Sequence, residues 1–169
     1  MACRDTKIIM KKLFISFSAI ILMAFSCEDK TSVEPFNGNI LRVKSGQSFG
    51  MCMGKCYNEL IVENNAVILK QIERKERGGE TETTEHSDDS RLHLIKSDLN
   101  GFRKEKFVNL KEVYGCPDCA DGGSEWLEVQ FSDGTVKKVT FEYGDSVEGF
   151  EKIISSLRTH RLSLMEKYR

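Results

Sequence analysis

The apolar run Leu13–Phe25, broken only by Ser16 and Ser18, constrains this chain more than any other feature. It removes residues from the fold and decides the redox surroundings of those that remain. Its 13 residues fall short of the about 20 that span a bilayer core. Lys11 and Lys12 precede it and Ala24-Phe25-Ser26 close it. A positive start, a short apolar middle and small residues before a cleavage point form a secretory signal peptide. A buried helix is the competing reading, and the abrupt change to Glu28-Asp29-Lys30 argues against it. Met10-Lys11-Lys12-Leu13-Phe14 has the form of such a signal's opening, which makes Met10 the expected start and residues 1–9, with Cys3, an extension.

Leu22-Met23-Ala24-Phe25-Ser26-Cys27 resembles the lipobox of bacterial lipoproteins, departing from it in Ala24 and in the bulky Phe25. The resemblance implies that Cys27 is diacylated and becomes the new N-terminus, a membrane anchor with the two acyl chains that stable attachment requires. Glu28-Asp29 resembles the acidic tag with which some Gram-negative bacteria send lipoproteins to the cell surface; a solvated tether is the plainer alternative. The expected organisation is a signal peptide over 1–26, a lipid-anchored tether over 27–38 and one domain over 39–169. The expected location is the outer membrane or the cell surface. Loss of Arg4, Lys7, Lys11, Lys12 and Asp5 takes the formal charge from −1 to −4. Nucleic acid is therefore not an expected partner.

Of six cysteines, four remain for the domain: Cys52 and Cys56 in Cys-Met-Gly-Lys-Cys, and Cys116 and Cys119 in Cys-Pro-Asp-Cys. An even number in an exported chain reads as two disulfides. Cross-pairing of the motifs would close loops of about 60 residues, worth roughly 4 kcal/mol, against about 2 kcal/mol for each pairing within a motif. The spacing also suits a Cys₄ zinc site, and Cys-Pro-Asp-Cys has the outline of a redox pair. Against redox chemistry, the motif runs into Ala120-Asp121-Gly122-Gly123 rather than a helix, and Asp118 and Asp121 raise a neighbouring thiol's pKa. Structural disulfides are the preferred reading.

Along the domain, Asn39–Lys44 reads as a strand and the glycine-rich Ser45–Lys55 as a loop. Tyr57–Val62 and Ala66–Gln71 form a hairpin at Asn64-Asn65. Gly78-Gly79 is the expected two-residue turn of an extended hairpin, placing Arg77 opposite Glu80 and Lys75 opposite Glu82. Ser97-Asp98 caps a helix to about Lys106 with Leu99 and Phe102 inward, and Phe107–Val113 is irregular. The clearest hairpin is Glu125–Phe131 with Val136–Tyr143: Leu127, Val129, Phe131, Val139, Phe141 and Tyr143 share one face, and Trp126 points with the polar set, either covered locally or exposed. A last helix is capped by Asp145 or Ser146, with Val147, Phe150, Ile153, Ile154 and Leu157 at helical spacing that slips near His160-Arg161. Strands, helix, strands, helix predict an α+β domain: an antiparallel sheet built from hairpins, two helices packed on one face, stapled by cysteines.

No catalytic constellation stands out, and no cofactor is expected. His86, His93 and His160 lack ligand spacing and read as surface residues; Asp118, Asp121 and Gly122 lack the alternating oxygens of a calcium loop. Ser48–Cys56 and Gly115–Gly123, followed by Trp126, Phe141-Glu142-Tyr143-Gly144 and a final helix, resemble a family of uncharacterised bacterial lipoproteins with a C-x-G-x-C loop, over about residues 45–160. The resemblance carries no activity. It implies export and the domain's extent, and relatives lacking the second motif favour pairing within motifs. Two functional readings follow. One is a non-catalytic module that binds a protein, peptide or glycan through the cysteine loops with Asp118, Asp121 and Trp126, an enzyme inhibitor being one version. The other is a zinc or thiol-redox protein using the four cysteines.

Overall fold

The structure, a computed structural model, describes residues 38–76 and 79–169. The signal peptide, Cys3, the anchor Cys27, the tether to residue 37, and Arg77 with Gly78 of the expected turn lie outside the described residues. Six strands form one antiparallel sheet in the order β4-β3-β2-β1-β5-β6. They are β1 (Ile40–Ser48), β2 (Gly54–Glu63), β3 (Ala66–Arg74), β4 (Thr81–Ser87), β5 (Ser124–Phe131) and β6 (Val136–Glu142). Helices α1 (Leu92–Asp98), α2 (Lys104–Val108) and α3 (Glu151–Lys167) cover one face. Among the described residues, no helix is long and apolar enough to cross a membrane.

Alternation along the strands builds the core. Val43, Leu60, Val62, Val67, Leu69, Leu127, Val129, Phe131, Val139 and Phe141 are buried on the helix-covered face. Ile95, Leu99, Phe107, Phe150, Ile154, Leu157 and Leu164 meet them from the helices. Tyr143, expected in this set, lies beyond the end of β6 and is exposed.

Several boundaries differ from the sequence reading, each for a local reason. β1 runs on to Ser48, and Gly46 lies inside it because a Cβ there would overlap the Trp126 indole. The first cysteine loop therefore shrinks to residues 49–53. In the β3–β4 hairpin the register places Glu73 opposite Glu82, and six residues, not two, connect the strands. Lys75 still reaches Glu82, diagonally, at 2.6 Å. The expected helix 98–106 is two helices: Asp98 ends the first, and Gly101, at φ +81°, turns the chain before the second. Leu99 and Phe102 do pack on the core. Phe107, expected in an irregular stretch, is the buried residue of α2. Val113 bridges Thr140 in parallel and extends the β6 edge. α3 begins at Glu151 rather than at Asp145 or Ser146; Val147 and Phe150 are buried in the turn before it.

The slip in helical spacing at His160-Arg161 is not a fraying point. α3 continues to Lys167 because these two residues face inward with polar partners. Arg161 is 1% exposed and donates to Glu125 Oε1, Ser45 Oγ (2.8 Å) and Gln47 Oε1 (3.2 Å). Glu125, also 1% exposed, accepts from Arg158 and from the Gly144 N–H (3.1 Å). Burial draws the Arg161 pKa below the ordinary arginine value, while Glu125 acts in the opposite sense. His160 is buried, in contrast to the surface reading; its Nε2 lies 2.9 Å from Asp98 Oδ2, tying α3 to α1. His86 stacks on Tyr168.

Two predictions follow from these contacts. Glu125→Gln strands a buried guanidinium and should lower unfolding free energy by about 3–5 kcal/mol. Arg158→Ala, which leaves the Arg161–Glu125 pair intact, should lose only about 1 kcal/mol; urea denaturation of both variants makes the comparison. Asp88 caps the turn before α1 and accepts from Lys167 of α3 at 2.6 Å, which, with Ser90, lowers its pKa to about 2. A depressed carboxylate stabilises the fold fully above its ordinary pKa of 3.8 and loses that contribution as pH falls through about 2. Asp88→Asn should therefore flatten the stability profile between pH 4 and 2, read by thermal melts across that range.

Candidate functional site

The four cysteines pair within their motifs. Cys52 bonds Cys56 and Cys116 bonds Cys119, with Cα separations of 5.6 and 5.5 Å. The first staple anchors its loop in the sheet: Cys56 sits at a bulge of β2, between Lys55, paired with Glu73, and Tyr57, paired with Ile72. Cys56 is buried, Cys52 half-buried, and Cys116 and Cys119 exposed. Among the described residues, no three His, Cys, Asp or Glu side chains gather where they could hold a metal ion, so the four thiols are not arranged as one Cys₄ set.

Both stapled loops lie at the same end of the sheet, where β1 finishes and β2 and β5 begin, and they touch. Asp118 Oδ1 accepts from the Gly50 N–H at 3.2 Å. The Phe49 ring lies against Gly123 and, 4.9 Å away, the Tyr143 ring. Arg74 donates to the Gly50 carbonyl at 2.6 Å, tying the first loop to β3. The second loop is held in a tight left-handed path, with φ of 62° at Asp118, 50° at Ala120 and 60° at Asp121. Its Asp118 N–H donates to Gly123 O at 2.9 Å. Cys116 N–H donates to Glu142 Oε1 at 2.7 Å, which fixes the loop to the end of β6.

Of the residues expected on a binding surface, Asp118 and Asp121 are exposed at this end, Asp118 with one oxygen engaged. Trp126 is not on the surface. It is 5% exposed, its ring laid over Gly46, its Nε1 donating to Glu59 Oε1 at 3.0 Å, with Tyr57 beside it and Lys138 above. It fills the uncovered face of the sheet locally. Burial, with the Glu59 carboxylate, holds the Tyr57 hydroxyl well above its ordinary pKa. Sequence reasoning missed Met51 and Met53, 62% and 56% exposed on either side of Cys52, together with Glu142 and Tyr143. Two large apolar residues within a stapled glycine loop were the available signal.

Fold and site together define a class, an antiparallel α+β domain that carries two locally stapled loops at one pole. No protein-family model, no curated protein and no solved structure matches the chain.

The docking of one loop on the other can be broken at Gly123. It has φ +82°, and a Cβ there would overlap the Phe49 ring. Gly123→Ala should lower stability by about 2–4 kcal/mol, from left-handed strain and overlap together. Proteolysis between residues 49 and 53 should rise in parallel, whereas Gly134→Ala in the open β5–β6 turn, with nothing within 4 Å of its Cβ, should leave that cleavage unchanged.

Proposed function

We propose that the chain is an exported lipoprotein, anchored through Cys27, whose domain is a non-catalytic binding module that engages a protein partner with the cysteine-loop pole. The observation that carries this reading is an opposition of poles. β1, the first strand after the tether in sequence, starts at Ile40 beside the ends of β2 and β5, and its far end, Ser48, leads into the first stapled loop. Nine strand residues at about 3.3 Å each separate the point where the tether enters from the loops. The chain therefore enters the sheet at the end opposite the stapled loops.

Three features support binding there. The loops are cross-linked and docked on each other, so little conformational entropy is lost when a partner orders them. Met51 and Met53 present soft apolar surface at 62% and 56% exposure. Asp118 and Asp121 add exposed carboxylates at the same end of the sheet.

Cys27→Ser should move the protein from the membrane fraction to the soluble exported fraction, and intact-mass measurement of the wild-type N-terminus should show acyl chains on Cys27. A photo-crosslinking residue at Met53 should give a discrete protein adduct in cells, and the same residue at Val136, exposed at the opposite pole, should give none. Equal labelling from both positions, or four rapidly reacting free thiols in the purified protein, would remove the basis for this reading.

A further inference from the structure

The cysteine-loop pole contains a cavity of about 280 Å³, bounded by Cys116, Cys119, Gly122, Gly123, Glu142 and Tyr143. Its size suits one long side chain. The second disulfide and two glycines, which have no side chains, contribute four of its six lining residues. The only formal charge among the lining residues is the Glu142 carboxylate. Glu142 Oε1 is occupied by the Cys116 N–H at 2.7 Å, which fixes the carboxylate in place. Among the described residues, Glu142 has no ion-pair partner. Tyr143, 42% exposed, is in tilted contact with the Phe49 ring at 4.9 Å.

A fixed carboxylate beside an exposed aromatic ring, in a recess without a cation of its own, is complementary to a planar cation. The carboxylate supplies charge and a hydrogen-bond acceptor, and the ring face attracts a guanidinium more strongly than it does a compact ammonium. The larger groove between α2 and the turn before α3, about 570 Å³, makes no such selection, because Glu105, Lys106 and Glu148 put both signs on its rim.

We propose that this cavity receives an arginine side chain of the partner, held by Glu142 and stacked on Tyr143, with Met51 and Met53 contacting apolar residues around it. The inference rests on the binding-module reading and adds the chemistry of the partner's central contact.

The test uses the full chain purified in detergent and titrated with acetyl-Gly-Arg-Gly-amide. The controls are the same peptide with lysine, with neutral citrulline, and free arginine, whose own carboxylate would face Glu142. Backbone amide shifts report the site. The arginine peptide should move the amides of Cys116, Gly122, Gly123 and Tyr143 saturably. The lysine peptide and free arginine should bind several-fold more weakly, and citrulline should not bind. Glu142→Gln keeps an acceptor for the Cys116 N–H but loses the charge, and should weaken arginine binding about fivefold or more, roughly 1 kcal/mol. Tyr143→Leu, which removes the ring, should weaken it by a similar factor. Equal binding of arginine and citrulline, indifference to Glu142→Gln, or no shift at all would overturn the assignment. A discrete Met53 crosslink alongside any of those outcomes would leave the binding module standing and reject only the arginine pocket.

Discussion

One buried carboxylate organises the domain. Glu125, at the start of β5, is held by Arg161 and Arg158 from α3 and by the Gly144 N–H from the chain leaving β6. Its position determines where α3 lies on the sheet, because a buried guanidinium that loses its partner costs several kcal/mol while a shifted apolar contact costs far less. The apolar residues of α3 would accept more than one angle across Val43, Leu60 and Leu127. Arg161 accepts one, in which its Nη atoms also reach Ser45 and Gln47 of β1 at 2.8 and 3.2 Å. The same residue, Glu125, borders the cysteine-loop pole, so the geometry that seats α3 also seats β5 and β6 beneath the second stapled loop.

The pairing of cysteines shows a second balance. Cross-pairing would restrain the unfolded chain more, by the logarithm of loop length, but the folded sheet holds the two motifs on separate elements: Cys56 in the bulge of β2, Cys116 and Cys119 in the loop before β5. Each short staple acts on local shape instead. The loops then meet through one hydrogen bond, Gly50 to Asp118, and one aromatic contact against Gly123 and Tyr143. The result is a small rigid surface at the sheet's end, made from segments with no regular structure of their own.

Much of this was legible beforehand, and the exceptions share a cause. The hairpins over 57–71 and 125–143 could be read because period-two alternation and the Asn64-Asn65 and Asp133-Gly134 turns are local signals. Gly46 read as loop because glycine disfavours strands; its place in β1 depends on the Trp126 ring, 80 residues away in sequence. Trp126 read as a surface candidate because it alternates with polar residues, and only Glu59 and Tyr57, on a strand two positions across, show how it is covered. His160-Arg161 read as a defect in helical spacing because the partners that make those positions interior, Asp98 and Glu125, come from distant elements.

The sequence by itself determined the class of fold, the strand pattern, the two cysteine loops and the expectation of an exported, anchored chain, since these follow from periodicity, turn chemistry and the order of charge and apolarity along the backbone. The tertiary structure decided which cysteines pair, which polar residues are interior, and that two loops separated by more than 60 residues share one pole. The physical reason is that burial of a charge and closure of a cavity are properties of several strands at once. Neither Glu142, fixed by Cys116, nor Arg161, held by Glu125, carries any mark of its role in the residues beside it.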